Sequence, residues 1–208
     1  MDKTNIQRVI AYVDGFNLYF GLKERRWRRY YWLNIKELVT SLLKENQQLI
    51  VTKYFTARIS GPPDKQKRQS IFLEALSTLS DFEIFYGHYL SSLVSCNKCG
   101  RNWRDFEEKM TDVNIATEIL ADAFEDRFDT AILISADSDL VPPVRKIKAI
   151  FPKKRIVVFF PPDRFSMHLK NSADVQLGLG RGSFAKSQFP DQIQKADSVL
   201  LTRPSQWR

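Results

Sequence analysis

Short apolar runs alternate with amphipathic stretches along most of the chain. RVIAYV (8–13) is apolar and rich in β-branched residues, as a strand buried on both faces requires. LIVTKYFTARI (49–59), FEIFYGHYL (82–90), TAILIS (130–135) and RIVVFF (155–160) read as four more strands. Between them, NIKELVTSLLKEN (34–46) sets Ile35, Leu38, Val39, Leu42 and Leu43 at helical spacing. PPDKQKRQSIFLEALSTLS (62–80) opens on prolines and becomes a helix. TDVNIATEILADAFE (111–125) is a helix with Thr111 as its cap, and DLVPPVRKIKAIF (139–151) is one whose start Pro142 and Pro143 delay. Strands alternating with helices predict an α/β fold, its mostly parallel sheet covered on both faces. From about residue 171 the pattern weakens through LGLGRGSF and QFPDQIQ. Residues 1–170 are therefore expected to form one domain, with 171–208 as a C-terminal extension packed on it and room there for a short edge strand.

Composition narrows the class. The 208 residues are 43% hydrophobic and 27% charged, ordinary for a globular chain with one good core. No apolar run approaches the roughly 20 residues of a membrane helix. MDKTNIQRVIAYVD lacks a secretory layout, so a cytoplasmic location is expected. Cys96 and Cys99 are too few and too close for a secreted disulfide framework. A net charge of +8 favours an anionic partner, nucleic acid first.

Two predicted strands end in Asp. The first runs into VDGFN, with Asp14, Gly15 and Asn17; the fourth runs into SADSD, with Ser135, Asp137 and Asp139. If those strands are neighbours, Asp14 meets Asp137 and Asp139 beyond the carboxyl ends of the sheet, where α/β proteins build their sites. Asp112, opening the helix that leads into the fourth strand, would point to the same ends. Gly15 would admit a close approach, and Asn17 could orient water or phosphate. Each Asp also has a plain structural reading: Asp14 and Asp139 as helix caps, Asp137 as a turn residue, Asp112 as a helix-start charge. Carboxylates about 4 Å apart repel by about 4 kcal/mol at an effective dielectric near 20, and a hard divalent cation removes that repulsion. All-oxygen ligation suits Mg²⁺ or Mn²⁺ rather than Zn²⁺.

VIAYVDGFNLY, EKMTDVNIATEIL and TAILISADSDLVPPVRKI, in that order, resemble the NYN domain family of the PIN-like nuclease superfamily over roughly residues 6–165. The resemblance implies a three-layer Rossmann-like fold with strand order 3-2-1-4-5 and a metal-dependent nuclease site acting on RNA. It implies Asp14, Asp112, Asp137 and Asp139 as metal-binding acids, with Asn17 beside them. Ser135 would support a ligating carboxylate. Water activated at the metal would attack phosphorus in line, leaving a 3′-hydroxyl and a 5′-phosphate.

KERRWRRYYW (23–32) places Lys23, Arg25, Arg26, Arg28 and Arg29 around Trp27 just after the Asp14 motif. Guanidinium groups suit phosphates and aromatic faces stack on unpaired bases, so this stretch is the expected RNA contact. The competing reading is a solvated basic face whose aromatics pack inward. Lys65, Lys67 and Arg68 are a weaker candidate. CNKCG (96–100) reads as a polar loop, either an unmetallated turn or one in which Cys96 and Cys99 offer two of the four ligands of a zinc site. His88 could add a third, or a second copy of the chain could complete Cys₄ in a homodimer. Two rivals to a Mg²⁺- or Mn²⁺-dependent ribonuclease remain: a non-catalytic RNA-binding or scaffold protein of the same fold, and an oxidoreductase using the CxxC or another cofactor. A dinucleotide enzyme would want a GxGxxG turn after the first strand, which is lacking.

Overall fold

The first apolar run forms β1 (Gln7–Asp14), buried from Val9 to its end. The computed structural model describes residues 6–196 and 198–208, with the side chains of 89–93 and 103–108 set aside. Residues 1–5, part of the stretch read as lacking a secretory layout, lie outside the described residues. β2 (Gln47–Thr56), β3 (Phe82–Tyr86), β6 (Thr130–Ile134), β7 (Arg155–Phe160) and β8 (Val175–Gly178) join β1 in one parallel sheet. Their order is β3-β2-β1-β6-β7-β8. The five expected strands thus stand in the order 3-2-1-4-5, and the C-terminal segment adds β8 at the edge.

Alternation along β1 divides the core. Val9, Ala11 and Val13 face α1 (Gly15–Glu24), α2 (Ile35–Thr40) and α3 (Pro63–Leu76). Ile10 and Tyr12 face α4 (Thr111–Phe124), α5 (Val141–Ile150) and α6 (Met167–Ser172). Fully burying each of these Val and Ile side chains stabilises the fold by about 1.5–3 kcal/mol. Residues after 178 return to the first layer. Phe184 of α7 (Arg181–Lys186), Phe189, and Leu201 of the small hairpin β9 (Gln192–Gln194) and β10 (Leu200–Thr202) enter the same core.

Four local expectations change. The third strand ends at Tyr86, and β4 (His88–Ser95) pairs antiparallel with β5 (Asn102–Lys109) in a separate hairpin, where a polar loop was expected. Its second strand, NWRDFEEK, has no apolar run to signal it. α2 spans six residues, capped by the Asn34 side chain on Glu37 N–H, rather than 34–46. Thr111 is the first helical residue of α4, not its cap. The chain leaves β5 and turns at Met110, whose φ of 78° is left-handed. A 3₁₀ turn, Ser138–Leu140, precedes α5, which holds both prolines in its first turn, where their missing N–H groups cost nothing.

Candidate active site

Strand register assembles the site. Val13 pairs with Ile134, so the next residues, Asp14 and Ser135, come side by side at the carboxyl ends of β1 and β6. From β1 the chain passes to β2 on one side, while β6 flanks the other, so this is the switch point where open α/β sheets bind ligands. Asp14 is 3% exposed. Its Oδ1 accepts the Asn17 N–H at 2.9 Å, capping α1, and its Oδ2 accepts the Ser135 hydroxyl at 2.9 Å. Ser135 Oγ in turn accepts the Asp137 N–H at 3.0 Å. Asn17 Oδ1 accepts the Ala136 N–H at 3.2 Å. One hydrogen-bonded chain therefore joins Asp14, Asn17, Ser135 and Asp137. Asp14 caps a helix as the plain reading supposed. Asp137, not Asp139, caps the following 3₁₀ turn by accepting the Asp139 N–H at 2.9 Å.

The other two acids are placed differently. Asp139 is exposed on the 3₁₀ turn, and Asp112 is half-buried in the first turn of α4, the helix that packs against that turn. Among the described residues no three His, Cys, Asp or Glu side chains cluster closely enough to hold a metal ion on their own. The donor set still fits Mg²⁺ or Mn²⁺. These ions take oxygen ligands, and Mg²⁺ commonly keeps waters while binding through one or two carboxylates and a substrate phosphate. Asn17 and Asp137 line an adjoining open polar cleft of about 430 Å³, to which Glu24, Asp163, Arg164 and Phe165 also contribute. Asp163, Arg164 and Phe165, from the loop after β7, carried no sequence signal.

Gly15 matters for close approach. A Cβ there would lie 2.5 Å from Tyr54 Oη and 2.7 Å from the Phe55 carbonyl oxygen. Burial pushes the Tyr54 hydroxyl above its ordinary pKa, and the Asp14 charge adds to the rise.

The basic–aromatic stretch divides. Trp27 sits edge-on to Tyr30 and Phe184, at 6.0 and 5.9 Å between ring centres, and lines neither the polar cleft nor the cavity that takes Lys23 and Arg28, so its ring packs on the core rather than facing a space a base could enter. Arg25 pairs with Asp163 at 2.8 Å beside the polar cleft. Arg26 is exposed with a left-handed backbone, and Arg29 lies over the Tyr30 ring. Lys23 and Arg28 line a different cavity, into which Lys65 and Arg68 also reach.

Cys96 and Cys99 sit at the tip of the β4–β5 hairpin. Cys96 N–H bonds to the Arg101 carbonyl and Gly100 N–H to the Cys96 carbonyl, both at 2.9 Å. N–H groups of Lys98 and Cys99 hold the Cys96 thiol below its ordinary pKa. His88 pairs with Lys109 at the opposite end of the hairpin. At about 3.3 Å per residue it lies some 20 Å or more from the cysteines, so it is not their third ligand.

Comparison with known proteins follows the same outline. Residues 8–179 match the family described as NYN domain. A curated relative, the 6-hydroxy-3-succinoylpyridine 3-monooxygenase of Pseudomonas putida (strain DSM 28022 / S16), is 27% identical over 176 residues, with 68% of this chain and 56% of that protein covered. The chain thus spans little more than half the length of that relative. A solved structure of a protein of unknown function from Vibrio parahaemolyticus is similar with a TM-score of 0.56 at 20% identity, over 87% of this chain and 98% of that one, a likeness of fold alone.

Proposed function

The chain belongs to the NYN domain family of PIN-like nucleases, and from that premise we propose that it is a divalent-metal-dependent endoribonuclease. The observation that carries the reading is the Ser135 bridge, which brings the buried Asp14 carboxylate and the Asp137 turn into one array at the switch point of the sheet. Nucleases of this kind generally use divalent metals. Here Asp14 and Asp137 would hold Mg²⁺ or Mn²⁺, with Asp112 and Asp139 supporting from outside. Such an ion, when bound, activates water and neutralises charge on a phosphodiester.

The protein's own groups do the rest. Ser135 holds the Asp14 carboxylate and takes the Asp137 amide, so the acids keep their spacing without reorganising. Ala136 N–H fixes the Asn17 side-chain oxygen, which leaves the Asn17 amide nitrogen to donate to a phosphate oxygen. His88 lies on the hairpin and His168 on α6, so no histidine pair serves attack by a 2′-hydroxyl. Products with 3′-hydroxyl and 5′-phosphate ends follow. Residues 171–208 serve as an extension of the nuclease domain, sharing its core.

The test is incubation of the purified chain with end-labelled RNA and DNA in Mg²⁺, Mn²⁺ or EDTA, alongside Asp14→Asn and Asp137→Asn. Cleavage of RNA that needs metal and falls by orders of magnitude in both variants is expected. RNA binding without cleavage in any metal would instead give the non-catalytic reading. A small-molecule oxidoreductase is the second reading, favoured by the name of the Pseudomonas putida relative. Oxygen uptake with a heteroaromatic acid and a reduced nicotinamide or flavin, without RNA cleavage, would decide for it.

A further inference from the structure

A cavity of about 380 Å³ opens on the α1–α3 side of the sheet end. Gly15 and Tyr54 stand in its wall, so it begins one residue from Asp14. Tyr19, Tyr31, Phe72 and Trp207 supply aromatic walls. Tyr19 and Tyr31 have ring centres 5.2 Å apart, and Trp207 stands edge-on to both Tyr31 and Phe72, at 5.9 and 6.1 Å. Its lining also holds Lys23, Arg28, Lys65 and Arg68, and, among the described residues, no acidic side chain. Arg28 and Arg68 line the cavity together with Tyr19, and the charge of each acts on the Tyr19 hydroxyl.

The far end of the chain completes this enclosure. Arg203 donates to the backbone oxygens of Arg29 and Trp207 and pairs with Asp191, clamping the 3₁₀ turn Ser205–Trp207 onto the basic–aromatic stretch. Leu18, Leu22, Leu33, Ile35 and Ile59 form its aliphatic floor, and the flat rings and the cations stand around it. Its size is typical for small ligands, roughly 300–1,000 Å³. Rings call for a planar π system, and cations with no acid beside them in the described lining call for an anion. A nucleotide carries both in one unit, and the volume takes a single residue rather than a duplex.

We propose that this cavity receives one unpaired nucleobase of the substrate strand, its ring among Tyr19, Tyr31 and Trp207 and its phosphate at Arg28 and Arg68. The inference rests on the ribonuclease reading for the identity of the strand. It deepens that reading by making the enzyme select unpaired RNA, cut next to the captured base. The charge comes from two separate segments, the 23–32 stretch and the start of α3. The aromatic wall draws on the C-terminal tail.

Binding measured without metal tests the pocket apart from cleavage. The full chain in EDTA is titrated by calorimetry with adenosine and uridine 5′-monophosphates, ribose 5-phosphate, and nicotinic acid as a simple heteroaromatic acid. Nucleotides should bind at least about tenfold more tightly than ribose 5-phosphate, as base–aromatic stacking allows. Trp207→Leu should erase that preference while keeping the weaker ribose 5-phosphate binding. Arg68→Gln, on the rim, should weaken both and flatten their salt dependence, and it serves if Trp207→Leu does not fold. Equal binding of nucleotide and ribose 5-phosphate, or a preference untouched by a folded Trp207→Leu, would overturn the proposal. So would binding of nicotinic acid with no binding of nucleotides. Nucleotide binding of the expected kind without RNA cleavage would leave the pocket standing and remove the nuclease reading. Metal-dependent cleavage without base-dependent binding would remove the pocket alone.

Discussion

Ser135 Oγ donates to Asp14 Oδ2 at 2.9 Å, tying the end of β6 to the end of β1 inside the buried layer of the site. Both residues are nearly inaccessible, at 0% and 3% exposure. The hydroxyl therefore sets where a buried carboxylate points, and the same oxygen receives the Asp137 amide.

Ser135→Ala should lower turnover by about 10- to 100-fold, the usual effect of losing a partner that orients a metal ligand. It should also raise the Mn²⁺ concentration needed for half-maximal activity. A metal titration of activity beside a thermal melt separates positioning from folding. A lower melting temperature with unchanged Mn²⁺ dependence would assign Ser135 a purely structural role.

Gly15→Ala should destabilise the fold by roughly 1–3 kcal/mol, because the new methyl overlaps the Tyr54 hydroxyl and the Phe55 carbonyl oxygen. The backbone contact makes this hard to relieve. Adding Tyr54→Phe should restore only part of the loss. An unchanged urea midpoint in Gly15→Ala would mean that β2 yields without strain.

Lys53 is 1% exposed, with Nζ 2.6 Å from Glu118 and 2.7 Å from Asp122, itself 1% exposed. Asp122 also takes the Tyr12 hydroxyl at 2.6 Å and the Arg127 guanidinium at 2.7 Å. This buried network pins β1 and β2 to α4. Lys53→Met strips the central cation and should cost about 3–5 kcal/mol in chemical denaturation at neutral pH. A cost under about 1 kcal/mol would show that Arg127 alone suffices for Asp122.

Acid should weaken the ion pairs at the opposite end of β1. Hydrogen bonds from Lys154 and then Arg8 hold Asp126 below the usual carboxylate range, and the Arg8 side chain does the same for Asp129. A lowered folded-state pKa means the stabilisation is full above the ordinary carboxylate value near 3.9 and is lost as pH falls through the folded-state values. Arg8→Gln should therefore lower the urea midpoint at pH 6, with the gap to wild type closing as both are taken to about pH 2. These groups are partly exposed, so salt should narrow the gap as well. A gap that stays constant from pH 6 to pH 2 would rule the ion pairs out as its source.

The strands of the sheet centre were legible because parallel strands buried on both faces must be continuous apolar runs, as RVIAYV, TAILIS and RIVVFF are. Asp14 and Asp137 were legible for a related reason. Asp14 directly follows its run and Asp137 comes two residues after TAILIS, so both must lie at or just past a strand end, and the two strands involved are neighbours. The β4–β5 hairpin was not legible, since it stands apart from the core and needs no apolar face to form. Trp27 was misleading for the converse reason. Its basic neighbours mark a surface, while Phe184, far along the chain, draws its ring inward.

By itself the sequence determined the α/β class, the alternation of the main strands and helices, and the acids at the strand ends. Those are local properties, written in the period of apolar residues and in the places where an apolar run stops. Tertiary structure alone decided that Ser135 bridges Asp14 to Asp137, that His88 stands far from the cysteines, and that Trp207 closes a cavity opened by Tyr19 and Tyr31. Each depends on strand order or on chain ends meeting, and such contacts form through packing of the whole core rather than through any pattern that neighbouring residues can carry.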